Sequence, residues 1–177
     1  FDAQIPSCTL EAFIVNDFST WYIRRSRDRV SPESNLKDRN SALFTMHKVL
    51  LTLSKALTPF LPFISETIYK NLTDNESVNF EDYPVGDANL IDKELISDMV
   101  LIRKIAEIAH AKRKEEEIKL RQPLAKIIYK LDKKLSTELE DVLKEELNVK
   151  NVEYEKSSSA EPKVQLDTKI TQELKDE

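Results

Sequence analysis

A chain of 177 residues holds one large domain or two small ones, and its net charge of -5 excludes nucleic-acid binding through bulk charge, so any such contact needs a local basic patch. The one glycine, Gly86, rules out glycine-rich phosphate loops of the G-x-G-x-x-G or Walker type and argues against nucleotide binding. The one cysteine, Cys8, excludes an internal disulfide and cysteine-rich zinc sites, and this composition fits a reducing cytoplasm. No apolar run approaches the ~20 residues of a membrane span. No signal peptide is visible. The chain begins at Phe1 rather than Met, which suggests a piece or processed product of a longer protein.

Pro6-Ser7 reads as a helix start. Leu10, Phe13, Ile14, Phe18 and Trp21 then keep a helical period to about Val30. This stretch holds the only tryptophan and the densest group of arginines. Helical spacing puts Phe18, Trp21, Tyr22 and Arg25 on one side, with Arg24 and Arg27 turned partly away. Two readings fit: a core helix whose arginines pair with acids and lay their stems over apolar surface, or a nucleic-acid-facing helix. Ser31 to Asn35, with Pro32, ends it.

A second helix is expected from about Lys37 to Thr58, with Leu43, Met46, Leu50, Leu53 and Leu57 as its packing stripe. Thr58 to Phe63 forms an apolar elbow, and a third helix, about Pro62 to Leu72, should bury Ile64, Ile68 and Leu72. The polar connection from Thr73 to about Asn89 should be anchored by Val78, Phe80 and Tyr83. A fourth helix, about Leu90 to Lys114, turns Leu95, Met99, Ile102, Ala106 and Ala109 inward. Four helices with short links imply an up-and-down bundle.

After Pro123 the period changes. Ala125, Ile127, Tyr129 and Leu131 alternate with lysines, as in a half-buried strand over Leu124 to Leu131. Thr137 with Glu140 suits a capping box. Leu135, Leu139, Leu143 and Leu147 mark a helix that Asn148 can cap. Val149 to Tyr154 reads as a second strand, allowing a parallel crossover, and Lys163 to Thr168 adds a third after the loop Lys156 to Pro162. Lys169 to Glu177 reads as a polar tail. The expected fold is mainly α: an antiparallel helical bundle over residues 1–122, then a small α+β module over residues 123–177.

No catalytic set emerges. No serine lies in a G-x-S-x-G elbow, Glu115 and Glu116 are neighbours on a helix end, and neither His47 nor His110 has a His or Cys partner at ligand spacing. A binding or structural module is expected, with two cationic zones. One is Arg24, Arg25, Arg27 and Arg29; the other is Lys112, Arg113, Lys119 and Arg121.

Ser19-Thr20-Trp21-Tyr22-Ile23-Arg24-Arg25-Ser26-Arg27 resembles the signature of the tRNA anticodon-binding domain of isoleucyl-tRNA synthetases. The related valyl and leucyl enzymes tend to carry an acid after the Trp-Tyr pair, where an arginine follows here. Thr58-Pro59-Phe60-Leu61-Pro62-Phe63-Ile64-Ser65-Glu66-Thr67-Ile68-Tyr69 is similar to the Ala-Pro-Phe-x-Pro-Phe-x-x-Glu-x-x-Tyr pattern of the wider group. Ser77 to Pro84 follows its acidic-Tyr-Pro segment, with Asn79 where histidine is usual. Ile118 to Leu124, Glu146 to Lys150 and Leu166 to Leu174 resemble segments particular to the isoleucyl type, although Glu115-Glu116-Glu117 stand where that family usually has small residues.

The resemblance implies the C-terminal region of a class I synthetase. His-Ile-Gly-His and Lys-Met-Ser-Lys-Ser are absent, so no catalytic residue is expected here, and no cofactor; ATP and metal ions would belong to the catalytic part outside this chain. The implied partners are tRNA(Ile) and the remainder of the synthetase, with no DNA and no membrane. Arg24, Arg27, Arg29, Lys112, Arg113, Lys119 and Arg121 are the candidate tRNA contacts, and Trp21 and Tyr22 the core of the signature helix. The alternatives are a helical protein–protein scaffold or the equivalent region of a valyl enzyme.

Overall fold

The structure, a computed structural model, describes residues 2–158 and 161–167; the expected polar tail and Thr168 lie outside them. Contacts divide the chain into two compact units, Phe1–Asp87 and Ala88–Glu177. The boundary between these contact units lies between residues 87 and 88, and the division expected between residues 122 and 123 lies within the second unit. The long helix before the sheet packs on the helix and a strand that follow it and belongs with them.

In the first unit, α1 spans Gln4–Ala12 and runs without a break into an eleven-residue π-helix, Phe13–Ile23. The helix starts two residues before Pro6, where Asp2 Oδ1 accepts from the Gln4 N–H at 2.9 Å. In the wider turn, side chains five apart come together. Phe13 stacks on Phe18 at 6.4 Å, and Thr20 Oγ1 donates to the Val15 carbonyl at 2.5 Å. Phe18 also stacks on Tyr22 at 6.2 Å and is the buried residue of this segment. The turn Ser26 to Val30 follows.

α2 spans Leu36–Leu57, capped by Asn35, whose Oδ1 accepts from Lys37 N at 2.9 Å. It buries Ala42, Leu53, Ser54 and Ala56, while Leu43 of the expected stripe is exposed and Met46, Leu50 and Leu57 are half-buried. α3, Pro62–Leu72, buries Ser65 and Tyr69; Ile64 is exposed, and Ile68 and Leu72 are half-buried. A polar network sets this phase. The Tyr69 hydroxyl donates to Glu81 Oε1 and accepts from Asn75 Nδ2, and Lys55 Nζ holds Glu81 Oε2 at 2.5 Å. Glu66 Oε2 accepts from Ser77 Oγ at 2.9 Å and from Val78 N at 3.0 Å. These bonds draw the Tyr69 side of α3 against the following connection. Val78 is buried there as expected, but Phe80 and Tyr83 are exposed and anchor nothing.

In the second unit, α4 spans Lys93–Glu115, with Asp92 Oδ1 accepting from Leu95 N at 2.9 Å. It buries Ile102, Ile105, Ala106, Ala109 and Arg113; Leu95 is exposed and Met99 half-buried. β1, Leu124–Leu131, is the middle strand of a sheet ordered β2-β1-β3. β2, Val149–Lys156, is parallel to it, and β3, Lys163–Leu166, antiparallel. α5, Thr137–Leu147, makes the crossover and packs on β2, while α4 packs on α5 and β3.

Leu135, Leu139, Leu143 and Leu147 are all buried, and Asn148 closes α5 in the left-handed region at φ 48°. The expected Thr137–Glu140 box does not form. Ser136 is the cap, its Oγ accepting from Leu139 N at 3.4 Å, which leaves Glu140 one position too far along. Glu140 instead turns inward and accepts from the Tyr129 hydroxyl at 2.6 Å. Burial first, and this carboxylate second, push the Tyr129 phenol well above its ordinary range.

Candidate nucleic-acid interface

The first cationic zone lies where the π-helix ends. Arg24 Nε donates to the Thr20 carbonyl at 2.9 Å. Its guanidinium lies 6.0 Å from the centre of the Trp21 ring, and that of Arg25 lies 5.4 Å from it. Trp21 therefore carries two cations, a pairing the negative face of an indole favours. Trp21 and Tyr22, expected in the core, are both half-buried.

Arg29 grips Asp38 on α2, with Nη2 at 2.6 Å from Oδ1 and Nε at 3.0 Å from Oδ2. The Arg29 side chain beside it holds the Asp38 carboxyl below its ordinary value. This ion pair ties the arginine-rich turn to the first turn of α2 and directs the Arg29 fork at protein. Arg27 is exposed and has no hydrogen bond or ion pair among the described residues. Arg24 is exposed too.

The second zone separates into inner and outer residues. Arg113 is 1% exposed, so it is not a surface cation and cannot reach RNA. Its Nη1 donates to the carbonyls of Lys119 at 3.2 Å and Gln122 at 2.9 Å, and its Nη2 to those of Leu147 at 2.5 Å and Asn148 at 3.3 Å. Burial lowers its pKa. Lys112 is half-buried, its ammonium donating to the Val164 carbonyl at 2.6 Å.

Lys119 and Arg121 remain exposed on the turn after α4. Glu117 enters that turn with φ 55°, and Asn148 Nδ2 donates to the Arg121 carbonyl at 3.0 Å. Arg113 and Asn148 thus shape the backbone that carries Lys119 and Arg121. Sequence reasoning missed this division of labour because the accepting carbonyls lie up to 35 positions away. Only Asn148, flagged as a helix cap, gave a hint.

The chemistry available is binding. Exposed arginines and a lysine can meet phosphates, and an indole already faces cations. Among the described residues, no three His, Cys, Asp or Glu side chains group to hold a metal ion, and no helix is long and apolar enough to cross a membrane.

The comparisons with known proteins agree with this chemistry. The family model described as the anticodon-binding domain of tRNA ligase matches residues 7–129, across both units and to within β1. Isoleucine–tRNA ligase of Bacillus thuringiensis is 35% identical over 158 residues, covering 87% of this chain and 15% of that protein. Isoleucine–tRNA ligase of Pyrococcus abyssi is 40% identical over 148 residues, covering 79% and 14%. That of Deinococcus radiodurans is 38% identical over 162 residues, covering 87% and 15%. The chain spans about 15% of the length of these relatives. With the signature helix and the apolar elbow inside the matched residues, and 87% of its length aligned with an isoleucine–tRNA ligase, this chain belongs to the family of tRNA-ligase anticodon-binding domains.

Proposed function

We propose that this chain is the anticodon-binding region of an isoleucine–tRNA ligase and holds the anticodon stem and loop of tRNA(Ile). The observation that carries the reading is the 79–87% of the chain shared with isoleucine–tRNA ligases. The exposed Arg24 and Arg27 of the first unit, and Lys119 and Arg121 of the second, support it as phosphate contacts; loop bases are left to stacking and edge readout. Correct docking of the anticodon helps place the far acceptor end for reaction, because only binding realised in the productive complex favours catalysis. ATP-dependent aminoacylation, with its nucleotide and metal ions, is assigned to the rest of the parent ligase in the cytoplasm. This chain contributes recognition and no catalytic residue.

The test is binding of the chain to tRNA(Ile) and to a tRNA for another amino acid, at low and moderate salt. Preference for tRNA(Ile), weakened by Arg27→Glu, supports the reading. Absence of binding to either tRNA overturns it. One observation favours a second reading, a protein-contact module: Leu61, Phe63 and Ile64 at the α2–α3 elbow are 53%, 89% and 54% exposed. That reading predicts a protein partner and no salt-dependent tRNA shift.

A further inference from the structure

α2 carries an aromatic residue on the wrong side for packing. At about 100° per residue, the buried Ala42 and Leu53 fall on one side of the helix and Phe44 on the opposite one. Phe44 is 68% exposed. Its helical neighbours at spacings of three, four and seven are Ser41, His47, Asn40, Lys48 and Lys37, all exposed, and Leu51, half-buried. Leu36, Lys37, Asn40, Ser41, Phe44 and Thr45 line an open groove of about 840 Å³.

The hydroxyls there are turned inward: Ser41 Oγ donates to the Lys37 carbonyl and Thr45 Oγ1 to the Ser41 carbonyl, both at 3.0 Å. The Asn40 amide and the two ammonium groups have no hydrogen bond or ion pair among the described residues. Asp38 is the only acid in α2, and Arg29 holds it. The charged side chains that α2 sets beside Phe44 are therefore cationic, with one ring at their middle, one amide beside it and Leu36 at the groove's edge.

A ring offers a stacking face to any unpaired base, flanking lysines offer counter-charge to the phosphates on either side, and an amide can both donate to and accept from a base edge. The charge complements a polyanion. We propose that the Lys37–Asn40–Phe44–Lys48 face of α2 is a stacking platform for one unpaired base of a bound RNA loop, an inference that rests on the tRNA-binding reading above. The base lies on the Phe44 ring, Lys37 and Lys48 take phosphates to either side, and Asn40 meets the base edge.

The test uses this chain with two probes: a stem–loop RNA whose unpaired loop carries the isoleucine anticodon, and the same stem as a continuous duplex. Phe44→Ala should weaken stem–loop binding by roughly tenfold and leave duplex binding unchanged, since a stacked base is worth about that much. Phe44→Trp should bind the stem–loop at least as well as the wild type, and Phe44→Leu no better than the alanine variant. Joint replacement of Lys37 and Lys48 by alanine should weaken both probes and flatten the salt dependence. The ring faces solvent, so thermal melts should coincide with wild type; if the alanine variant does not fold, the tryptophan and leucine pair decides alone.

If the wild type binds the stem–loop and Phe44→Ala binds equally well, the platform is overturned while the tRNA reading stands. A leucine variant as good as wild type also overturns it, because an aliphatic contact, as on a protein partner, would then suffice. No stem–loop binding by the wild type overturns both.

Discussion

Arg24 and Arg113 have the same side chain and opposite fates. In the first unit the Arg24 guanidinium lies over an indole and stays exposed. In the second, Arg113 is enclosed and spends its fork on four backbone carbonyls, with no carboxylate among its partners in the described residues. A buried guanidinium is costly unless its donors are met, and carbonyl dipoles meet those of both terminal nitrogens here, while Nε finds no partner among the described residues. Cationic clusters in a sequence therefore say little until burial is known. One cluster is a surface, and the other is largely the brace beneath a surface.

The brace should be the easier of the two to break. Arg113→Ala leaves the Lys119, Gln122, Leu147 and Asn148 carbonyls without that donor and should cost about 2–4 kcal/mol in urea unfolding followed by a probe of the second unit. A loss under about 1 kcal/mol would show that water replaces the guanidinium freely. Next in size is Tyr129→Phe. It strips Glu140 of its hydroxyl donor and Leu135 N–H of its acceptor, for about 1–3 kcal/mol. The same substitution has a pH signature. The phenol is raised above its ordinary 10.0 in the folded chain, so the stability it contributes is full below pH 10 and lost as pH rises past it. Phe at this position should remove that alkaline limb, measured as the urea midpoint between pH 9 and 11.

Acid should distinguish the units in the other direction. Glu81, held low first by Lys55 and then by Tyr69, and Glu66, held low first by Lys70, both belong to the first unit, as does Asp38. Each has a folded pKa below the unfolded one, so its contribution is present above about pH 4.5 and lost as pH falls through the folded value. Acid titration should loosen the α2–α3 packing, and Glu81→Gln should shrink that loss. An unchanged acid profile in the variant would mean that the Lys55–Glu81–Tyr69 network is not what titrates.

The same contrast marks how far the sequence could be read. In the second unit Ile127, Tyr129 and Leu131 of β1 and the leucines of α5 bury as spaced, because apolar character decides most of what faces in there; Leu124 is buried in place of the expected Ala125, and Glu140 goes inward to meet Tyr129. In the first unit that rule fails where polar groups do the packing. Ser54, Ser65 and Tyr69 are buried while Leu43 and Ile64 are not, since Tyr69 and Glu66 bond to residues in the connection beyond α3. The π-helix escaped notice because its residue types fit an α-helix equally well; the fifth-residue contacts of Phe13 with Phe18 and of Thr20 with Val15 reveal it. Arg113 looked like its neighbours because a cage of carbonyls leaves no mark in side-chain identity.

The smallest effect is the most specific to surface chemistry. Arg27 and Lys119 are exposed cations, one in each unit, with no ion pair among the described residues. If each meets a phosphate, Arg27→Ala and Lys119→Ala should each weaken tRNA binding a few-fold, independently of loop sequence, and lower the salt slope by about 1. Thermal melting should not move, since neither side chain packs. Arg113→Ala, by contrast, should lower both stability and binding, because Lys119 and Arg121 lose the backbone that positions them. A binding loss in Arg113→Lys with unchanged melting would be the sharpest sign of the brace: the ammonium keeps the charge but lacks the fork that holds carbonyls from two segments at once.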